Sequence, residues 1–451
     1  MFSFKKSNGR WENGGRKIRA AALILALVML VCLAASCSPS GAKGVDTPVL
    51  ECKKDGISLS FYEFLLSRMK GAMALSGYDV KSSAFWSEIV DGTDVTYEQY
   101  FNSSVLESCK KYLCALAIFK EEGLTLPASA IAAIEEEIEF YISLGYVGGG
   151  SVDKLNTLIA AYGVDAESLK QAYEIEAKYE YLLSYLYGSD ASLIADNVKE
   201  DHYRENYYRF KQVLIPNFYY VYELDEHGNE IYFDVESGER LYDTENGSFV
   251  YDEKGNRIKD EDGNTIYFDE DGNVLYDKVN GKRHVVLDDS GEAVQHFYTE
   301  AEMQERALLS REIFEAVKSA DSSLFEEKMS EYNENYGADE SYPDGYYLSD
   351  IESAGYNEYM LEMLEALKTL GVGECAIIES EYGYHIIRKY ELDEGKYADG
   401  AYAEWFEGFS ESLITKLFEA KCQSVYQSIT VNEENLKKAR SIRNIGTNTD
   451  Y

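Results

Sequence analysis

The sequence is poor in the groups from which metal centres and hydrolytic sites are usually built. Its 451 residues include five histidines (His202, His227, His284, His296 and His385), and these are scattered. Its seven cysteines are Cys32, Cys37, Cys52, Cys109, Cys114, Cys375 and Cys422; they form no Cys-x-x-Cys pair and no Cys/His metal spacing. Neither a metal site nor a disulfide framework is implied. Cys109 and Cys114 lie five apart on an expected helix and so do not share a face; they read as small buried apolar residues. There is no serine triad and no phosphate-binding loop, and no cofactor is expected. Positive charge is short as well: 43 Lys+Arg stand against 81 Asp+Glu, a net charge of −38. A field of that sign repels nucleic acid and anionic lipid. The apolar run Ala20–Ala35 has 16 residues, short of the about 20 that a membrane span needs.

What the chain does have is core-forming material. Apolar residues make up 45% and aromatic residues 14%, enough to bury real cores rather than remain disordered. The length suggests two or three domains. Lys5, Lys6, Arg10, Arg16, Lys17 and Arg19 precede the short apolar run, and small residues close it. Together these are the marks of a secretory signal. The sequence Ala34-Ala35-Ser36-Cys37 resembles the bacterial lipobox, with Ala34 where leucine is more common. The resemblance implies acylation of Cys37 and a cell-membrane location, lipid-anchored on the extracytoplasmic side. An uncleaved signal anchor is the alternative. Ser38 to Thr47, rich in Ser, Gly, Pro and Ala, reads as a flexible tether. Without residues 1–36 the chain keeps 37 Lys+Arg and 80 Asp+Glu, net −43, a surface suited to attracting basic segments of other chains.

Residues 49–208 read as largely α-helical. A short strand at 49–53 leads to a helix over 58–75. A second helix spans 94–122, opened by the capping box Thr96-Tyr97-Glu98-Gln99, with Tyr97, Phe101, Leu106, Cys109, Leu113, Leu116 and Phe119 at helical spacing. Further helices fit 127–144, 151–162, 165–187 and 191–208. Phe210-Lys211-Gln212-Val213-Leu214-Ile215 then reads as a strand. From Pro216 to Val294 the pattern changes. Glycines recur every eight to ten residues between short β-rich runs such as Thr265-Ile266-Tyr267-Phe268, which signals repeated hairpins. This β-hairpin insert, residues 216–296, holds 21 acidic and 7 basic residues over 216–294. Asp260-Glu261-Asp262-Gly263-Asn264 and Asp269-Glu270-Asp271-Gly272-Asn273 hint at calcium, yet neither has the closing glutamate of an EF-hand loop. Solvated turns are the better reading. Helices return at 299–320 and 322–332, then a loop at 333–349, a helix at 357–370, and strands at 375–380 and 384–390. A helix over 401–441 follows, with Trp405, Phe406, Phe409, Leu413, Leu417, Phe418 and Tyr426 as its buried face, and 442–451 reads as a tail.

The stretch Leu370-Gly371-Val372-Gly373-Glu374 through Glu381-Tyr382-Gly383-Tyr384-His385-Ile386-Ile387 resembles parvulin-type peptidyl-prolyl isomerases. Pro343-Asp344-Gly345-Tyr346-Tyr347 looks like a polar loop of that family. The helical segments on either side are similar to the chaperone domain of the SurA and PrsA foldases. The resemblance implies an α+β multidomain protein. A helical chaperone domain (49–208, completed by a helix within 396–441) would flank a parvulin domain (209–395) carrying the long acidic β insert. It also implies unfolded or newly secreted polypeptides as partners, with a homodimer possible.

Such an enzyme needs no nucleophile, because it lowers a rotational barrier of roughly 18–20 kcal/mol about an X–Pro bond. It does so by favouring the twisted amide through fixed hydrogen bonds and an apolar grip on the proline ring. In the resemblance, His385 keeps the family's histidine. Gln212 stands where the family has a second histidine, and Asn335 where it has an aspartate. Counting back from Gly373-Glu374 puts Tyr359 and Met363 at the two apolar substrate-binding positions, with Met360 and Leu364 one residue away. Each has a bland reading beside it: His385 as a strand-end residue bonded to its neighbours, Tyr359 and Met363 as core. A non-catalytic chaperone on the same fold, and a cell-surface binding role for the acidic insert, are the alternatives to catalysis.

Overall fold

The structure, a computed structural model, describes residues 47–144, 147, 149–333 and 341–449. The expected signal peptide with Cys37, nearly all of the tether and Asn335 lie outside the described residues. In chain order the principal elements are β1 (Pro48–Cys52), β2 (Asp55–Ser58), α1 (Leu59–Leu75), α2 (Tyr97–Glu121), α3 (Ala128–Ser143), α4 (Val152–Ile159), α5 (Ala166–Tyr187), α6 (Asp196–Asn206) and β3 (Tyr207–Pro216). After a run of short strand pairs come α7 (Glu300–Val317), α8 (Ser322–Tyr332), β4 (Tyr346–Ser349), α9 (Glu358–Thr369), β5 (Cys375–Ser380), β6 (Gly383–Tyr390), α10 (Phe409–Tyr426) and β7 (Thr430–Val431). These form two compact units. One comprises Tyr208–Tyr347 with Asn357–Glu391; the other holds the described residues up to Tyr207, Leu348–Tyr356 and those from Leu392 on. No helix among the described residues is long and apolar enough to cross a membrane.

The mainly helical unit is built on amphipathic helices with sequence-encoded starts. Ser58 caps α1 by accepting from the Phe61 N–H. Thr96 opens α2 with a reciprocal box, its Oγ1 accepting from Gln99 N–H (3.2 Å) while Gln99 Oε1 accepts from Thr96 N–H (2.9 Å). The core packs Phe61, Phe64, Leu66, Trp86, Phe101, Val105 and Leu113 between these helices. The end of the chain departs from the expected single helix over 401–441. The helix proper is α10, and β7 follows it, pairing antiparallel with β1 through Leu50↔Val431 and Glu51↔Thr430. The β-branched pair Thr430-Val431 prefers this pleated edge to a helix. The expected tail is also docked: Ile442, Ile445 and Asn448 are buried. The Lys70 ammonium donates to the carbonyls of Arg443 (2.9 Å) and Ile445 (2.8 Å).

The other unit is an α+β sandwich. Its four-stranded sheet has the order β4-β3-β6-β5. β3 and β6 pair antiparallel from Arg209↔Tyr390 to Pro216↔Gly383, and β6 pairs with β5 from Arg388↔Cys375 to Gly383↔Ser380. β4 lies where the sequence suggested loop, and its four residues are buried. Strand alternation gives the sheet two unlike faces. Val213, Ile215 and Ile386 pack on Ile313 and Val317 of α7 and Phe325 of α8. The opposite face carries Gln212, Leu214, His385 and Ile387.

Between β3 and α7 the short strands nest. Phe218–Tyr220 pairs with Gln295–Phe297, Tyr232–Phe233 with Lys282–Arg283, and Ser248–Phe249 with Tyr267–Phe268, all antiparallel. The insert is thus an outgoing and a returning limb, each thrown into small side loops. Every side loop turns on an aspartate whose Oδ1 accepts backbone N–H groups, as Asp260 does from Asp262 (3.1 Å) and Asn264 (2.8 Å). These bonds form Asx turns. They hold the Asp260 and Asp269 carboxyls below the usual aspartate range, for Asp260 against the opposing effect of burial. A two-fold repeat runs through the module: the Tyr242 hydroxyl donates to Asp260 (2.9 Å), the Tyr276 hydroxyl to Asp225 (3.3 Å), and the two rings stack 5.2 Å apart.

Candidate active site

The hydrogen-bond register of β3, β5 and β6 builds the site. His385 sits opposite Leu214 on one side and Ile378 on the other. Its ring therefore projects from the same face as Gln212, one diagonal step along β3, and as Ser380, two residues beyond Ile378. The contacts follow: His385 Nδ1 lies 3.0 Å from Gln212 Oε1, and Nε2 lies 2.8 Å from Ser380 Oγ. Ser380 Oγ in turn accepts the Tyr382 N–H at 3.0 Å. One proton arrangement satisfies every member: Nδ1–H donates to Gln212, and Ser380 O–H donates to Nε2. The imidazole is then neutral. Burial, with His385 3% exposed, pushes its pKa down to about 3, because a charged ring there would be stripped of water.

The turn beneath this chain of bonds depends on glycine. Gly383 has φ +136, and a Cβ there would come 2.3 Å from the Ile215 carbonyl and 2.6 Å from Pro216 Cα. Only glycine lets β6 approach the end of β3 so closely. With Gly383 in place, Glu381-Tyr382 closes a two-residue hairpin and Ser380 is carried under the imidazole.

α9 covers this part of the sheet and packs against β5. Asn357 caps the helix, its side chain accepting the Met360 N–H at 3.1 Å. The far end is held by Lys389, whose ammonium donates to the carbonyls of Leu367 and Leu370, both at 2.7 Å. Tyr359 stacks on His385 with centroids 5.1 Å apart and planes 10° from parallel, and Tyr382 makes a T-shaped contact with Tyr359 at 5.4 Å. Burial raises the Tyr359 phenol to about 12. Met363 is 1% exposed and Met360 8%.

Of the residues singled out by sequence, His385, Gln212 and Tyr359 form one contact group. Met363 sits on the same helix as Tyr359, one turn further on. Asn335 lies outside the described residues, but Asn333 Oδ1 accepts the Leu214 N–H at 2.7 Å, directly across the strand pair from His385. Ser380 and Tyr382 were not singled out. Their roles come from the hairpin register; the faint signal in the sequence is a serine three residues before the Gly-Tyr-His triplet. Among the described residues no group of three or more His, Cys, Asp or Glu side chains is placed to hold a metal ion.

No family model matches the chain, and no curated protein is similar enough to match it. Among solved structures, the crystal structure of PrsA from Bacillus subtilis aligns over 79% of this chain and 94% of its own length, at 17% identity and a TM-score of 0.16. An overlap at that score carries no argument about fold or function, so the reading of the site rests on its own geometry.

Proposed function

We propose that this chain is an extracytoplasmic foldase with a parvulin-type peptidyl-prolyl cis-trans isomerase site, tethered to the membrane through Cys37. The supporting observation is the bond between His385 and Gln212 across the two central antiparallel strands, beneath the ring of Tyr359. A rotamase must stabilise an amide twisted out of conjugation and needs no group that gains or loses a proton. A neutral imidazole fixed on both nitrogens fits that task as a rigid, weakly polar floor. Tyr359 would grip the prolyl ring, backed by Met363 one turn along the same helix. The clients are unfolded or newly secreted polypeptides, and the acidic surface favours basic ones.

The test is refolding of a protein limited by a prolyl bond, with and without the purified chain. Acceleration is expected, falling at least tenfold in His385→Ala and in Gln212→Ala. No acceleration at high concentration of the parent chain would remove the isomerase reading.

A second reading, a non-catalytic holdase on the same fold, is favoured by one specific feature. His385 is 3% exposed with both ring nitrogens bonded, as in a structural core histidine. That reading expects suppressed aggregation of a model client, unchanged in His385→Ala, with no effect on prolyl-limited refolding.

A further inference from the structure

Three of the described cysteines meet inside the helical unit although they are far apart in sequence. Cys52 comes from β1, Cys114 from α2 and Cys422 from α10, and they are 1%, 0% and 0% exposed. Cys52 is engaged, its sulfur 3.1 Å from the Ser428 hydroxyl. Cys114 faces α10: its sulfur lies 4.0 Å from the Cys422 carbonyl oxygen, across a separation of 308 residues. Both belong to one apolar cluster with Ala115, Ile118, Phe119, Leu182 and Phe418. The neighbouring Cys422 thiol, and burial after it, push the Cys114 thiol well above the usual range. In the folded protein Cys114 is therefore a protonated, unreactive thiol held beside a second one.

We propose that Cys114 and Cys422 form a redox cross-link that locks α10 onto α2. The reaction is thiol–disulfide exchange with an external disulfide, either a small molecule such as oxidised glutathione or an oxidoreductase. One thiol loses its proton and attacks, giving a mixed disulfide and releasing one external thiol. The second thiol loses its proton and displaces the other external thiol. The Cys114–Cys422 bond forms, two electrons and two protons pass to the external disulfide, and two external thiols leave. Since neither sulfur is accessible in the closed unit, exchange occurs before α10 docks or when it lifts. The cross-link then closes a 308-residue separation, and a loop of that length restricts the unfolded chain strongly. The bond would reinforce the helix that leads into β7 and its pairing with β1.

The test refolds the full chain from denaturant in a glutathione redox buffer, and in parallel in dithiothreitol. Free thiols are trapped at low pH and peptides are mapped without reduction. The expected result is a single linked peptide pair containing Cys114 and Cys422, with every other cysteine of the chain that is not acylated carrying the label. The melting midpoint should lie several degrees above that of the reduced protein and return to it on adding dithiothreitol. Cys114→Ala and Cys422→Ala should each abolish this redox-dependent difference, while Cys52→Ala keeps it. Full labelling of both cysteines in the glutathione-refolded protein, or a link through Cys52 instead, overturns the proposal. Peptide mapping of the parent chain decides the matter even if a variant fails to fold.

Discussion

At the scale of the residue, His385 links folding to pH in a defined direction. Its folded pKa, about 3, lies below the unfolded value of about 6.5. Between those two values the unfolded chain binds a proton that the folded chain refuses. Stability from this group is complete above about pH 6.5 and is lost as pH falls, at roughly 1.4 kcal/mol per unit once well below that value. Many carboxylates also titrate in acid, so the difference between variants isolates the effect. His385→Gln should flatten the dependence of the urea midpoint between pH 7 and 5 relative to the parent. Parallel curves for the two proteins would contradict the assignment. The Tyr359 ring is part of what keeps water from the imidazole, so Tyr359→Ala should raise the His385 pKa and cost about 2 kcal/mol of stability. Titration of the imidazole proton resonance measures the first effect directly, and an unmoved titration would show that the ring shields nothing. The histidine and its β3 neighbour were readable because Gly-Tyr-His-Ile-Ile and Lys-Gln-Val-Leu-Ile are local patterns. Ser380 was not, because its role exists only once Ser380↔Gly383 register is set.

At the scale of the element, local chemistry was the readable part and long-range pairing was not. The capping box at Thr96 was visible as Thr-x-x-Gln before an apolar helical pattern, and both of its bonds are present. Thr96→Ala should cost about 1 kcal/mol, detectable as a shift in the denaturation midpoint without a change in slope. β4 and β7 were missed for one reason: each is short, and each is a strand only because a distant partner offers an edge, β3 for the one and β1 for the other. The glycine-punctuated segment was readable as turns, whereas its nested pairing was not, since each two-residue strand pairs with a partner far along the chain. That nesting yields its own prediction. Phe218 and Phe297 face each other at the base of the insert, so the sheet unit is entered and left at one point. Replacing residues 219–296 by a short Gly-Asn turn should leave a folded protein with an unchanged β3–β6 pair. Loss of the His385 resonance pattern in that variant would mean that the insert holds the sheet together. Comparing client binding of the two proteins then shows whether the acidic module recruits polypeptides.

At the scale of the whole molecule, the mainly helical unit is closed by residues from the two ends of the described chain. β7 lies on β1, Ile442 and Ile445 enter the core of α1 and α2, and one ion pair fastens the arrangement. Glu63 of α1, 8% exposed, accepts from Arg440 through Oε2 at 2.9 and 2.7 Å, while its Oε1 accepts the Arg440 backbone N–H at 2.7 Å. The same guanidinium donates to the Ala160 carbonyl at 2.9 Å. A carboxylate this buried is tolerable only with its partner, and removing one member of such a pair costs more than the pair itself contributes. Arg440→Ala should therefore destabilise the unit by about 2–3 kcal/mol, below the fully buried range because the arginine is 30% exposed. Glu63→Ala should cost a similar amount, and the double variant markedly less than the sum, since no charge is then left behind. Urea denaturation of the four proteins gives the coupling. Additive losses would show that the closing segment is held by its apolar contacts alone, and that Ile442 and Ile445 rather than the ion pair fix the end of the chain to α1.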